Sequence, residues 1–117
     1  MEAKQAEKLI SILDEIENNI NNIINVPDEI SKTLVKLASL ISSLSVCCIK
    51  FKQCASDKFL EFRAEGKTIK DSEMLMKSSQ DYYYYKLTQM KIDAIKELIN
   101  SLKKRLEVLA NEQKNLY

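Results

Sequence analysis

Histidine and tryptophan are absent from this chain, and glycine and proline occur once each. Each absence excludes something. Without histidine there is no residue whose ordinary proton equilibrium lies near neutrality, and no imidazole for a metal site. With Gly66 and Pro27 as the lone punctuators, strand-and-turn architecture lacks the turn residues it needs at short intervals. There is no glycine-rich phosphate loop, and no pair of carboxylates on an apolar face that could be tuned apart as acid and base. Asp93 and Glu97 lie one helical turn apart, but among lysines on a polar side. The expectation is a non-enzymatic protein without cofactor or metal.

Three cysteines are present, and their spacing is unhelpful for bonding. Cys47 and Cys48 are adjacent, and Cys47 and Cys54 stand two helical turns apart, roughly 10 Å, beyond disulfide reach. They read as small apolar packing residues of a reduced compartment. The start of the chain has no apolar core of a secretory signal. The longest uncharged run, Leu37 to Ile49, is shorter than the ~20 residues of a membrane span. These features lead to an expectation of a soluble protein of the cytoplasm (the host cytoplasm if the chain is viral), with no membrane partner.

What the chain does have is helix-forming sequence with one-sided apolar stripes. Its 117 residues fit a single domain, 45% of them hydrophobic and 30% charged. From Gln80 to Gln113, Tyr85, Thr88, Ile92, Ile95, Ile99, Leu102, Leu106 and Leu109 step by alternating threes and fours, one stripe of a helix ~50 Å long. Flanking rows hold Tyr84 and Leu98 on one side, and Leu87, Ala94 and Val108 on the other. A two-stranded coiled coil would want charges there, so two neighbours are expected, from this chain or from copies of it.

From Pro27 to Glu65, Ile30, Leu34, Leu37, Ile41, Leu44, Cys48, Phe51 and Ala55 repeat the stepping, followed by Phe59 and Phe62. Pro27 suits a first helical residue, and Gly66 a left-handed cap. An acidic helix over residues 1–25 precedes it, from about Ala3 to Asn22, with Leu9, Leu13, Ile16, Ile20 and Ile23 as its stripe. Between the long helices, residues 66–79 read as an ordered corner. Thr68-Ile-Lys-Asp71 has capping-box spacing, and Ser78-Ser-Gln-Asp81 repeats it to launch the last helix. The fold expected is all-α: one elongated domain over residues 1–117, with helices 27–65 and 80–113 as an antiparallel hairpin. Because both long helices carry more apolar surface than one partner covers, a homo-oligomer is expected.

Charge is unevenly spread. Residues 1–29 hold two Lys against seven Asp/Glu (2 − 7 = −5), and residues 30–117 hold sixteen Lys/Arg against ten (16 − 10 = +6). An acidic head on a basic body can reflect a polyanion-binding surface, sometimes with an internal competitor, but ordinary solvated helix faces account for it more readily. The run Tyr82 to Tyr85 surrounds its helix, so at least one tyrosine must meet solvent, another subunit or a ligand. Aromatic faces beside lysine stack unpaired bases; tyrosines also plug hairpin ends. Lys86 and Lys91 follow the run, and Lys67, Lys70 and Lys77 lie in the corner. Lys36 and Lys50 stand two heptads apart on helix 27–65, with Lys52, Lys58 and Arg63 beyond. The candidate strand-binding set is Lys50, Lys52, Lys58, Arg63, Lys67, Lys70, Tyr83, Lys86 and Lys91.

A long helix closing on Glu65-Gly66-Lys67, a Ser72-Glu73-Met74 segment, the cluster Asp81 to Tyr85, and a last helix with Lys103-Lys104-Arg105 resemble the UvsY-like recombination mediators of bacteriophages. The resemblance covers Asp28 to Leu109. The acidic first helix has no counterpart in it, and the net charge of +1 departs from it. It implies a closed oligomer that binds single-stranded DNA and helps a RecA-type recombinase displace the single-strand-binding protein. Lysines would hold phosphates, aromatics would stack bases, and the stripes would close the ring. Two other readings stand beside it: a helical scaffold that never touches nucleic acid, and a small viral inhibitor of a host factor.

Overall fold

A computed structural model of the protein describes residues 2–115. The outer ends of the expected 1–117 span, Met1, Leu116 and Tyr117, lie outside them. The described residues form four helices and no strand: α1 (Glu2–Ile23), α2 (Pro27–Ala64), α3 (Ile69–Lys77) and α4 (Gln80–Asn115). The molecule is elongated, 73 × 24 × 18 Å, with a radius of gyration of 19.5 Å where a compact domain of this size has ~13 Å.

The boundaries follow from local chemistry. Val26 is extended ahead of Pro27, which takes the first helical position, and Asp28 and Glu29 sit at the positive end of α2. α2 ends at Ala64, and two residues on Gly66 turns the chain out with a φ of 90°, the left-handed conformation glycine adopts without strain. Its amide donates to the Arg63 carbonyl (3.0 Å), and the Lys67 amide reaches back to the Phe62 carbonyl (3.2 Å). The Thr68 hydroxyl accepts from the Asp71 amide, as the capping-box spacing predicts.

The second capping box is displaced by one residue. Ser79, not Ser78, caps α4 by accepting from the Tyr82 amide (3.2 Å). Ser78 instead closes α3, its hydroxyl donating to the Met74 carbonyl (2.9 Å). Two adjacent serines offered two registers, and the short α3 took the first.

α2 is the helix on which all the others lean. It runs antiparallel to α4: Phe51 stacks on Tyr84, while Cys48, earlier in α2, donates to the carbonyl of the later residue Tyr85. α1 folds back along both, through a core of Leu13, Ile30, Leu37, Leu40, Leu44, Ile95 and Leu102. A second cluster, Ala6, Cys47, Phe51 and Tyr84, closes the end near the corner. α1 is thus one of the two neighbours expected for the wide stripes, and it comes from the same chain.

Three apolar positions are corrected. Tyr84 rather than Tyr85 is the buried tyrosine, because Phe51 and the start of α1 cover its side of α4. Cys54, read in sequence as an apolar packing residue, and Val108, expected on an apolar flanking row, are exposed.

α2 also contains an 18-residue window of mean hydropathy 1.7, long and apolar enough by length and composition to cross a membrane, of which 28% is buried. The uncharged run Leu37 to Ile49 is shorter than this window, since a single lysine does not end the apolar character around it.

Candidate nucleic-acid interface

α4 begins at the corner, and its first turn points the four tyrosines in different directions, about 100° apart. Tyr84 turns inward. Its ring lies 5.1 Å from that of Phe51, and its hydroxyl donates to the Glu7 carboxylate at 2.6 Å. Accepting that bond, Glu7 holds the phenol above its ordinary value of 10.0, with burial adding to the effect. Tyr83 turns outward and is 60% exposed, its ring held edge-on against Tyr84 at 5.2 Å. Tyr82 and Tyr85 are half-buried, and the Lys86 ammonium lies over both rings, 5.7 and 5.2 Å from their centroids.

Tyr82, Tyr83 and Lys86 line an open groove of about 420 Å³ together with Lys77, Leu87 and Met90. Lys77 ends α3, so the corner closes one wall of the groove. An aromatic floor with two ammonium groups at its edge can accept a flat ring and a neighbouring anion. Met90 was not singled out from sequence, and Leu87 only as part of an apolar row flanking the stripe. Both share the helix face of Tyr83, at i+7 and i+4, and that spacing was the available signal.

The other candidate residues are dispersed. Lys67 and Lys70 belong to the corner but not to this groove. Lys67 lines a separate depression with Asp71, Met74, Leu75 and Ser78, pairs with Glu65, and lies 5.5 Å over the Phe62 ring. Arg63 donates to the Lys67 carbonyl at 2.8 Å. Lys58 pairs with Asp81 at 3.2 Å. Lys50 and Lys52 point to opposite edges of α2, two residues being about 200° of rotation. They do not form one track.

Lys50 and Lys91 are taken up by α1. Lys50 meets Glu2 at 3.4 Å, and Lys91 meets Asp14 at 3.9 Å. Further along, Arg105 donates to the Ile24 carbonyl at 3.0 Å and to the Asn25 side chain. Tyr84, Lys91 and Arg105 fall on heptad positions of α4, so one row of polar ties follows α1 along its length. The acidic helix therefore pairs with two cations that sequence placed in the strand-binding set, of which Lys50 stays exposed.

Compared with protein-family models, curated proteins and solved structures, the chain matches none. Among the described residues no group of His, Cys, Asp and Glu is arranged to hold a metal ion.

Proposed function

We propose that the protein is a non-enzymatic mediator of recombination that binds single-stranded DNA and assists loading of a RecA-type recombinase, acting as a homo-oligomer. One observation carries the DNA-binding part: the corner groove presents an outward tyrosine, held against a buried one, with Lys77 and Lys86 beside it. A pre-positioned ring stacks a base without first losing its own rotamer freedom, and neighbouring lysines supply sequence-independent phosphate contacts. The recombinase and the single-strand-binding protein enter through the resemblance to UvsY-like mediators.

Cations committed to internal pairs make the expected affinity modest. Lys50, Lys58, Lys67 and Lys91 each have an acidic partner within the chain. A strand would compete with those pairs, which are worth little at exposed positions. The test is anisotropy of a labelled oligonucleotide at two salt concentrations. Single strands should bind, more weakly at the higher salt, and duplex of the same length should bind less. Absence of binding at both concentrations rejects the reading.

A second reading, a scaffold that oligomerises without nucleic acid, is favoured by the outer face of α2, where Val35, Val46, Ile49 and Leu60 stand exposed. It predicts self-association with no oligonucleotide signal.

A further inference from the structure

The face of α2 least covered by α1 and α4 has an unusual composition, with Val35 at its margin beside Leu9 and Ile12 of α1. Val35, Val46, Ile49 and Leu60 on it are 71, 52, 66 and 62% exposed. Between them stand exposed Ala38 and Ser42, and no charged residue occupies the centre of this face from Ser31 to Leu60. A solvated helix face in water is normally the charged one, so this stripe reads as a surface that is covered.

Its edges indicate by what. One edge carries Lys32 and Lys36 near the start of α2 and Asp57 and Glu61 near its end. Asp57 and Glu61 form no ion pair among the described residues, Lys36 lines a depression with Glu15 of α1 without an ion pair to it, and Lys32 has a long, exposed contact to Glu29 at 3.7 Å. The opposite edge carries Lys52 and Arg63 and no acid. When a helix packs antiparallel on its own copy about a perpendicular two-fold axis, each edge meets the same edge of the copy. Lys32 with Glu61, and Lys36 with Asp57, are then brought level by a single register, since both pairs are centred between Val46 and Cys47.

The apolar residues select nearly the same register. Val35 with Leu60, and Val46 with Ile49, are both centred between Cys47 and Cys48, one residue or ~1.5 Å away. Ser42 is then level with Gln53 of the copy, and small residues such as Ala38 and Ser42 let helices approach closely. Lys50, on the charged edge, would face Ser43 of the copy and can keep its bond to Glu2. A parallel pair offers none of this, because Lys32 and Lys36 would face an edge with no acid.

We infer that the protein self-associates as an antiparallel dimer through the outer face of α2, with Val46 near the two-fold axis and Lys32–Glu61 and Lys36–Asp57 pairs between subunits. The surface is distinct from the corner groove, so the inference holds whether or not nucleic acid binds.

Light scattering on the full chain tests it, with circular dichroism to verify that each variant stays helical. The wild type should run at twice the mass of the chain or a multiple of that. Val46→Arg should abolish this association. The double change Lys32→Glu/Lys36→Glu should weaken it by roughly tenfold or more, and adding Asp57→Lys/Glu61→Lys should restore it, because the charges are exchanged across the same contacts. Rescue by the fourfold variant is the decisive supporting result. A monomeric wild type overturns the inference, as does an oligomer indifferent to Val46→Arg or to the charge swap. So does binding to mixed phosphatidylcholine–phosphatidylserine vesicles that Val46→Arg abolishes, which would assign the face to a lipid surface.

Discussion

Tyr84 and Glu7 lie 77 positions apart in the chain, yet the phenol of one donates to the carboxylate of the other at 2.6 Å. The contact ties the acidic first helix to the start of the last one, beside the corner groove. Its titration has a definite sign. The folded-state pKa of Tyr84 is raised above 10.0, so its contribution to stability is complete below that value and is lost as pH rises through the folded pKa. Alkaline unfolding monitored by circular dichroism should show a decline beginning above about pH 10. Tyr84→Phe should be slightly less stable at neutral pH and should show a smaller decline there.

The core prediction separates two isoleucines that the heptad alone treats as equivalent. Ile95 is fully buried and Ile99 only partly so. Ile95→Ala and Leu37→Ala should each cost about 2–5 kcal/mol in denaturant melts, and Ile99→Ala less. Equal losses at Ile95 and Ile99 would contradict the phase of α4.

Tyr83 supplies the sharpest test of the groove. Tyr83→Ala should lose about 1–3 kcal/mol of single-strand affinity, the worth of one stacked base. Its exposure means the melting temperature should move little. Lys86→Ala should weaken binding to all sequences and flatten the salt dependence, since it removes one phosphate contact. Loss of the oligomer with unchanged affinity per subunit would instead make Tyr83 an interface residue.

Asp14 gives the reverse experiment. If Lys91 contacts phosphate once freed from α1, Asp14→Asn should raise single-strand affinity, by about twofold to fivefold at low salt. An unchanged affinity would remove Lys91 from the binding set.

The cysteines should differ in reactivity. Cys47 is buried, and that burial raises its thiol above the ordinary value of 9.0, with Glu2 adding to the effect. Cys54 is exposed. Maleimide labelling at neutral pH should modify Cys54 first and Cys47 only on unfolding, because the thiolate is the nucleophile.

The helices, their ends and the hairpin were legible in the residues themselves, because each rests on local chemistry. Leu37, Leu44, Ile95 and Leu102 repeat at a helical period, Pro27 can start a helix, and only Gly66 takes the left-handed cap without strain. The outer stripe of α2 was also written there, in the missing charges around Ser42 and Val46. What the tertiary structure decided was which flank α1 covers. A helix turns about 100° per residue, so moving the covered side by one position exchanges Tyr85 for Tyr84 as the buried ring. That choice lies in contacts between residues tens of positions apart. It is also why Lys50 and Lys91, indistinguishable in sequence from solvated lysines, ended beside Glu2 and Asp14. A charged side chain's periodicity says which way it faces; only the packed α1 supplies what it meets.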